Sequence, residues 1–324
     1  MGLFSNLILL VITFCLSSLI TINAKSSVDW PQKQVKIVVN FPPGSSPDIL
    51  ARALAPKLEQ KFGQVFFIEN HPGGGGIIGA NYVAKLPSDG YTFLMSAGST
   101  FAIDPYINKN QDTSYIQQLL PLASIAKVQL HLVANSNSPF ENFESLTKFA
   151  KKNPGQLTYG SAGVGTGLHI AGELLNNYAD IQTRHIPYQG SAQALQALLA
   201  GQIDFMFDPG ISLSHIKAGK LRLLAIDSKY RSKIFPQTPT IKELGLKNFD
   251  ASTTHGFFAN KDIPPSILKT LHKAINEELK QKEMSDFINN LGIQVHPTTI
   301  EIFEKELKED QIRYKKVIEN LRIE

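Results

Sequence analysis

The sequence has few of the residues and motifs on which most enzymes and metalloproteins depend. It contains one cysteine, Cys15, which lies in an apolar N-terminal run. If that run is removed, the mature chain has no disulfide, no thiol nucleophile and no cysteine-based zinc site. The motifs G-x-S-x-G, G-x-x-x-x-G-K-[ST] and H-E-x-x-H are also missing. We therefore predict no catalytic residue, no cofactor and no metal ion.

Charge is modest and evenly distributed along the chain. The 324 residues include 32 Lys and Arg and 28 Asp and Glu, which gives a formal net charge of +4. No block of basic residues is longer than a pair, so nucleic acid is not an expected partner. The chain is long enough for two α/β domains, and its hydrophobic content of 43% is ordinary for a globular protein.

An uncharged apolar run covers residues 7–22. A signal-peptide core needs roughly 7–15 apolar residues, whereas a transmembrane helix needs about 20. Small and polar residues follow the run before Lys25, so we predict a signal peptide over residues 1–24, cleaved after Ala24, and export from the cytoplasm. Because no Lys or Arg precedes the run, an uncleaved N-terminal anchor is the alternative.

Strand and helix patterns alternate along the rest of the chain. The first run of apolar segments predicts strands at 35–40, 65–69 and 91–95, with helices at 49–62 and 78–86. A second run of such units covers residues 157–227, and residues 299–321 form an amphipathic helix pattern typical of docking on a domain. Strands that alternate with helices indicate parallel βαβ units and an α/β fold.

Two long extended segments, at 124–135 and 251–259, separate the two runs of βα units. We expect the chain to cross to a second lobe near 126–133 and to return near 251–259. The predicted boundaries are 25–126 for the first part of lobe 1, 127–250 for lobe 2, and 251–324 for the return to lobe 1 and the C-terminal helices. A cleft between two such lobes is the expected ligand site, and the two crossings form its hinge.

Several predicted strands end in short loops rich in Gly, Ser and Thr, and each loop opens a helical pattern. These loops follow residues 36–39, 91–95, 157–159, 184–187 and 203–207. They offer backbone N–H groups, hydroxyls and helix N-termini, which suit an anion. In open α/β sheets, ligands lie at the carboxyl ends of the strands. The pattern therefore predicts a protein that holds a small acidic molecule.

The loop at residues 43–48 contains two candidates for a helix N-cap. With Ser46 as the N-cap, Pro47 takes the first helical position; with Ser45, Asp48 takes the third position, as in a capping box. Either arrangement gives a well-capped helix and leaves N–H groups free to face a carboxylate. Asp48 would then orient the loop or accept a hydrogen bond from a hydroxyl or amine of the ligand.

The loop at residues 160–167 has four glycines in eight residues, together with Ser161 and Thr166. Glycine lets the backbone approach a ligand closely, so ligand contact is favoured over a plain tight turn. His169 and Glu173 lie four residues apart on the following helix; a structural histidine is favoured over a metal ligand. Asp208 ends a buried strand, where it either faces the cleft or belongs to an Asp-Pro-Gly turn.

Residues 74–79 match the G-x-G-x-x-G pattern of dinucleotide sites, after a strand and before a helix. Asn70-His71-Pro72 separates this strand from the glycines, and the next strand ends without the acidic residue that would bind a ribose. Close packing of the chain or a mobile rim loop is therefore the favoured interpretation.

Motifs in a fixed order give the chain a family resemblance. They are Trp30-Pro31, VVNFPPG at 38–44 with Asp48, ENHPGGGG at 69–76, PSDGYT at 87–92, LTYGSAG at 157–163, His169 with AGEL at 171–174, PYQG at 187–190, IKAGKLR at 216–222 and Pro239-Thr240. Together they resemble the Bug-type solute receptors, the extracytoplasmic binding proteins of tripartite tricarboxylate transporters. The resemblance covers nearly the whole mature chain.

The resemblance implies a two-lobed Venus-flytrap fold, of the type II periplasmic binding proteins, with the ligand in the interlobe cleft. It implies a periplasmic receptor that holds a small carboxylate-bearing solute through backbone amides, hydroxyls and bridging waters, and whose partners are the permease subunits of the transporter. The ligand-binding residues that it implies are Gly44, Ser45, Asp48, Ser96, Ser99 and Thr100 in lobe 1, and Gly163, Gly165, Thr166, His169 and Asp208 in lobe 2.

The chain departs from the family pattern at three places. Ser45 stands where a second glycine is usual, His71 replaces a usual arginine, and Asp208-Pro209-Gly210 differs from the commoner Asp-Asn. These departures add a hydroxyl to the first loop and leave the floor of the lobe 2 site open to question.

The sequence thus predicts a solute receptor without chemistry of its own. A periplasmic sensor that reports its ligand to a signalling partner has the same fold and stays an alternative. An exported hydrolase with Ser161 or Ser191 as nucleophile, and an adhesive surface protein, are the alternatives from other classes. Aromatic, dicarboxylic, tricarboxylic and amino-acid ligands all fit such loops.

Overall fold

The computed structural model of the protein describes residues 30–107 and 111–321. Residues Pro31–Glu324 form one compact unit. The predicted signal peptide, Cys15 and the cleavage site after Ala24 lie outside the described residues. Within the described ranges, every helix is too short or too polar to cross a membrane.

The first half of the chain forms most of one sheet and the helices around it. Its elements are β1 (Val35–Val39), α1 (Ser46–Phe62), β2 (Phe66–Asn70), α2 (Ile77–Ala84), β3 (Thr92–Ser96), α3 (Ser99–Ala102), α4 (Asp104–Ile107), α5 (Tyr115–Gln118) and β4 (Leu119–Val128). Helix α1 ends at Gly63, whose φ of 68° places it in the left-handed region that favours glycine.

The second half builds a smaller sheet and then returns to the first. Its elements are β5 (His131–Asn135), α6 (Phe143–Lys152), β6 (Thr158–Ser161), α7 (Gly167–Ala179), β7 (Arg184–Pro187), α8 (Ser191–Leu199), β8 (Phe205–Asp208), α9 (Leu213–Lys217), β9 (Leu221–Ile226), β10 (Thr253–Asn260), α10 (Pro265–Leu279), α11 (Lys282–Asn290), β11 (Gln294–Val295) and α12 (Ile300–Leu321).

The strands form two sheets. The large sheet has the order β11-β4-β10-β3-β1-β2, and the small sheet has the order β7-β6-β8-β5-β9. Strand β1 is parallel to β2 and β3, and β6 is parallel to β7 and β8. The prediction of parallel βαβ units is therefore confirmed for both runs. We call the large sheet with its helices lobe 1 and the small sheet with its helices lobe 2.

The extended segment predicted at 124–135 is split between the two sheets. Strand β4 ends at Val128 in the large sheet, and β5 begins at His131 in the small one. The chain returns after Ile226, the last residue of β9, and re-enters the large sheet with β10. Strands β4, β5 and β10 pair antiparallel with their neighbours, because they carry the chain between sheets and do not belong to βαβ units. The lobe boundaries given above stay a prediction.

Each sheet is covered by apolar helix faces. In lobe 1, Phe303 of α12 packs with Phe258 of β10, Leu94 of β3 and Val38 of β1. In lobe 2, the apolar face of α8 packs on Met206 of β8 and neighbouring strands. The predicted C-terminal helix is confirmed as α12, and its Phe303, Leu307 and Tyr314 are buried.

Helix α12 also holds the returning chain in place just before β10. The Arg313 guanidinium donates hydrogen bonds to the backbone oxygens of Asp250 and Ser252, at 2.5 and 2.8 Å, and the Tyr314 hydroxyl donates one to Ser252 O at 3.0 Å. The second crossing is thus fastened to lobe 1 by charge-assisted hydrogen bonds.

Helix α7 lies on β6 through one close contact. A Cβ added at Gly172 would lie 2.1 Å from Cε2 and 2.3 Å from Cζ of Tyr159. We expect Gly172→Ala to lower the free energy of unfolding by about 1–3 kcal/mol, because the core has no room for the methyl group. In a Tyr159→Leu background, Gly172→Ala should instead raise the free energy of unfolding, because alanine stabilises a helix relative to glycine by roughly 0.5–1 kcal/mol. Urea unfolding of the four proteins gives the coupling, and additive effects would contradict the packing argument.

Candidate ligand-binding site

The candidate site lies between the two sheets, at the carboxyl ends of parallel strands from both lobes. A cavity of about 40 Å³ is bordered by Ala97 after β3, Ala162 after β6 and Pro209 after β8. We call it the inner cavity. Among the described residues, its lining includes no Lys, Arg, Asp or Glu side chain. With this small volume, the space between the lobes is narrow in this arrangement of the chain.

The N-terminal ends of three helices meet at the inner cavity. Ser46 and Pro47 of α1, Gly167 and Leu168 of α7 and Ser191 of α8 all line it. Helix α1 comes from lobe 1, whereas α7 and α8 come from lobe 2. The first N–H groups of a helix have no partner within that helix, and the helix dipole places partial positive charge there. The cavity therefore attracts an anion from both sides without a cationic side chain.

Two serine hydroxyls at the start of α1 are available to a ligand. Ser45 is the N-cap, but its side chain makes no capping hydrogen bond. The Oγ atoms of Ser45 and Ser46 are buried and have no hydrogen-bond partner within the described ranges. Both residues line the inner cavity. A buried hydroxyl without a partner is costly, so these atoms mark a position where a polar ligand group is favourable.

Asp48 lies behind this loop, outside the lining of the cavity. Its Oδ2 accepts hydrogen bonds from Gly44 N and Arg52 Nε, both at 2.9 Å, and its Oδ1 accepts one from Asn70 Nδ2 at 2.8 Å. Burial opposes the charged form, but these three hydrogen bonds outweigh burial and hold the pKa of Asp48 below its usual value. Asp48 thus orients the loop, which is one of the two roles expected for it.

Two more of the lobe 1 candidates belong to a buried hydrogen-bond network. Asn40 Nδ2 lies 2.9 Å from Ser96 Oγ and 3.3 Å from Thr100 Oγ1, and it donates to Gly76 O at 3.0 Å. Ser96 and Thr100 are fully buried and do not line the inner cavity. Ser99, in contrast, lines the cavity directly.

In lobe 2, Thr166 lines the inner cavity and also caps α7. Its Oγ1 donates to Gly163 O at 2.8 Å and accepts from His169 N at 3.5 Å. His169 lies behind the loop, where its Nδ1 accepts a hydrogen bond from Gly165 N at 3.3 Å. His169 thus bonds to the loop and does not line the inner cavity.

Buried His169 and half-buried His185 form a stack that supports the same loop. Their rings are 4.0 Å apart, and His185 Nε2 lies 2.6 Å from Ser161 Oγ. Burial, and to a lesser extent the neighbouring His169, lower the pKa of His185 to about 3. Ser161 is fully buried and does not line the inner cavity, so this Ser–His pair is closed to a substrate. Ser191 lines the cavity but forms no hydrogen bond with a histidine in the described ranges.

Asp208 belongs to a turn and does not line the cavity. Its carboxylate accepts hydrogen bonds from Gly210 N at 2.9 Å, Ser212 Oγ at 2.8 Å and Ser212 N at 3.1 Å. Pro209 takes its place in the lining. The bonds from Gly210 and Ser212 go to Oδ2, and Oδ1 accepts one from Ile211 N at 3.3 Å, so both oxygens are bonded to their own loop, as the turn interpretation of Asp208 proposes.

A larger outer cleft of about 390 Å³ adjoins the inner cavity, with Phe41 and Ala162 bordering both. Gly163 and Tyr188 of lobe 2 line it, and so do glycines 73–76 of lobe 1. Gly79, the last glycine of the G-x-G-x-x-G pattern, packs tightly instead: an added Cβ would lie 2.6 Å from His71 O. These glycines thus serve a rim loop and close packing, which were the favoured interpretations.

Several cavity residues carry no signal in the local sequence. Thr253 and His255 line the inner cavity from β10, and Val128 and Leu130 line it from the first crossing. Strand patterns do not reveal which strand passes under a cleft, because that depends on sheet order. His255 Nδ1 is buried and has no partner within the described ranges, and burial lowers the pKa of His255 to about 3.

No group of three or more His, Cys, Asp or Glu side chains within residues 30–107 and 111–321 could hold a metal ion. His71, which stands where the family pattern has an arginine, stacks on Tyr82 at 4.1 Å and contacts Glu69. Its ring is occupied within lobe 1, away from the inner cavity.

We expect Asp48→Ala to lower the free energy of unfolding by about 2 kcal/mol. Ligand binding should also weaken, because the loop at residues 43–48 loses the side chain that holds it in place. The substitution removes the acceptor of the Gly44 N–H and one of the two acceptors of the Asn70 amide, which also donates to Phe41 O. Asp48→Asn keeps one acceptor oxygen and should lose less in both measurements. Urea unfolding and binding titrations of the two variants test this. A variant that loses affinity at unchanged stability would contradict a purely orienting role.

His255 should give stability a dependence on pH. An unfolded histidine titrates near pH 6.5, so below about that pH the unfolded chain takes up a proton that folded His255 refuses. Its contribution to stability is lost as pH falls from about 6.5 to about 3. Asp227, whose pKa is raised to about 7 by burial and by nearby Asp250, acts in the opposite direction but is common to wild type and variants.

We therefore expect His255→Leu to lose less stability than wild type on acidification, by about 2 kcal/mol between pH 7 and pH 4.5. His255→Asn, which also lacks the titrating group, should behave in the same way. Urea unfolding at a series of pH values measures the difference. Parallel pH profiles of the three proteins would rule the explanation out.

The chain is similar to known receptors over most of its length. The family model described as the tripartite tricarboxylate transporter family receptor matches residues 50–323. Protein BugT of Bordetella pertussis is 35% identical over 260 residues, which cover 79% of each chain. Two solved structures of Rhodopseudomonas palustris proteins are also similar.

The first is Rpa4515 with adipate, which is 28% identical with a TM-score of 0.86 and covers 91% of this chain and 99% of its own. The second is MatC with bound malate, which is 25% identical with a TM-score of 0.83 and covers 89% of this chain and 100% of its own. These similarities confirm the two-sheet α/β fold of periplasmic binding proteins.

The comparisons also decide between receptor and enzyme. The family consists of transporter binding proteins that are not enzymes, so the hydrolase hypothesis with Ser161 or Ser191 is wrong. The buried position of Ser161 gives a physical reason against a nucleophile there, because a substrate does not reach its hydroxyl. The chain belongs to the tripartite tricarboxylate transporter family of periplasmic solute-binding receptors, the family of the Bug proteins.

Proposed function

We propose that this protein captures a small carboxylate-bearing solute in the periplasm and presents it to the permease subunits of a tripartite tricarboxylate-type transporter. The observation that carries the proposal is the meeting of three helix N-termini, from α1, α7 and α8, at a cavity whose described lining has no charged side chain. The predicted signal peptide at residues 1–24 supports export.

The electrostatics of the inner cavity favour an anion over a cation or a neutral solute. Each helix N-terminus contributes partial positive charge and free N–H groups. In a narrow cavity with apolar walls such as Val128 and Leu130, this charge is screened less than in water. A carboxylate offers two acceptor oxygens to these donors, whereas a cation would be repelled by them.

Relatives support the same ligand class. The solved structures of Rpa4515 and MatC hold adipate and malate, which are both dicarboxylates. Their similarity over about nine-tenths of this chain makes a carboxylate the first class to test here.

We assign the eleven candidate residues to two roles. Ser45, Ser99 and Thr166 contact the solute, and Gly163 meets it or its waters from the outer cleft. The others hold the loops that present these contacts: Gly44, Asp48, Ser96, Thr100, Gly165, His169 and Asp208. Water bridges between loop and carboxylate are nearly as favourable as direct hydrogen bonds.

Closure of the lobes brings small residues from the two sides together. A Cβ added at Gly190, before α8, would lie 2.9 Å from Cδ and Cγ of Pro42, which follows β1. Gly190 has an extended φ of −177°, which alanine also adopts. A Gly190→Ala substitution therefore opposes the closed arrangement and leaves each lobe intact. Since the solute contacts both lobes, it stabilises the closed state and loses affinity when closure is hindered.

The test is a thermal-shift titration with small carboxylates on protein that lacks residues 1–24 and has been refolded to remove bound solute. A ligand at 100 times its Kd adds about 2.7 kcal/mol and should raise the Tm of wild type by several degrees. Gly190→Ala should keep the ligand-free Tm within about 2 °C and lose at least half of the ligand-induced rise.

The matched control is Gly201→Ala, also in lobe 2. Gly201 has open space around it, but its φ of 71° is unfavourable for alanine. The variant should therefore have a lower ligand-free Tm and keep the full rise with ligand. If no carboxylate shifts the Tm of folded wild-type protein, the proposed ligand class is wrong. If ligand shifts Gly190→Ala as much as wild type, the closure argument is wrong.

A further inference from the structure

His255 stands out among the residues that line the inner cavity. It is the one imidazole in the described lining, and it lies on β10, the strand that brings the chain back from lobe 2. Its side chain is buried, and its Nδ1 atom has no hydrogen-bond partner within the described ranges. Burial lowers the pKa of His255 to about 3, so the ring is neutral at ordinary pH.

The surroundings of His255 are mostly apolar. Val128, Leu130 and Ala251 line the same hinge side of the cavity, and Thr253 is the other polar residue that β10 contributes. A buried polar atom without a partner is costly, so a ligand group that bonds to it recovers that free energy. A hydrocarbon end of a ligand would leave the cost in place.

The residues that line the cavity and carry an unpartnered polar atom thus fall into two groups on different elements. Ser45 and Ser46 offer hydroxyls at the start of α1, and His255 offers a ring nitrogen on β10. One carboxylate at the helix N-termini accounts for the first group. The second group calls for another hydrogen-bonding function on the same solute.

We propose that His255 is a specificity-determining residue that hydrogen-bonds a second polar group of the solute and so selects bifunctional carboxylates over monocarboxylates with a hydrocarbon end. This inference rests on the proposed function, because the first carboxylate has to lie at the helix N-termini. A neutral imidazole donates to a carboxylate or carbonyl oxygen, and a site built for such a bond rejects the analogue that lacks it.

The experiment compares matched acids of equal chain length by isothermal titration: succinate with butyrate, glutarate with pentanoate, and adipate with hexanoate. For the best-fitting length, wild type should bind the diacid at least about tenfold more tightly than the monoacid. His255→Leu should reduce this ratio to within about threefold. His255→Asn, whose side chain keeps a polar atom near the position of Nδ1, should retain most of it.

Two further variants make the result specific. His255→Phe replaces the ring with an apolar one and repeats the test if the leucine variant does not fold. Thr254→Val removes the hydroxyl of the residue before His255, which does not line the inner cavity, and should keep the wild-type ratio.

The two proposals fail in different ways. An unchanged ratio in both apolar variants, or an equal loss in Thr254→Val, overturns the role of His255 and leaves the carboxylate function standing. If wild type binds diacid and monoacid equally, the role of His255 is also overturned and the carboxylate function stands. Wild type that binds none of the six acids overturns the carboxylate function and this inference together.

Discussion

The pairing of β10 with both β3 and β4 is the interaction on which the rest of the structure depends. This strand comes late in the chain, yet it occupies an interior position of the large sheet. Its approach to the β3–α3 loop is so close that a Cβ at Gly98 would lie 2.4 Å from Thr254 O. The same strand carries Thr253 and His255 into the inner cavity. The strand that completes the large sheet therefore also forms part of the cavity wall.

The polar residues of this region divide into groups that line the inner cavity and groups that hold the loops around it. Charged and strongly hydrogen-bonded side chains, such as Asp48 and Asp208, are turned to their own loops. The stacked His169 and His185 support the lobe 2 loop from behind. Hydroxyls and helix ends remain for the cavity. Because the charge that attracts the solute belongs to the backbone, its position is fixed by the helices and loses no side-chain entropy on binding.

Much of this architecture could be predicted from the sequence. Parallel βαβ units, the Gly/Ser/Thr loops at strand ends and the amphipathic helix α12 follow from local patterns, and the order of the motifs indicated the family. Local patterns placed a crossing between lobes near 126–133 but did not mark where one strand ends and the next begins. Residues 124–135 look like one strand, but the chain turns between Val128 and His131 and enters another sheet. Apolarity is similar on both sides of that turn, so periodicity does not mark it.

The sequence by itself determined the elements, the family and the loops that form the site, because these depend on residues close together in the chain. Only the tertiary structure decided which side chains of each loop reach the cavity. Ser45 and Ser99 do, whereas Asp48 and Ser96 are hydrogen-bonded to Asn70 and Asn40, which lie 22 and 56 residues away in the sequence. His255 lies at the cavity because of the position of β10 in the sheet, which the local sequence does not show. A side chain's role depends on which hydrogen bonds are already satisfied around it, and that is settled by distant parts of the chain.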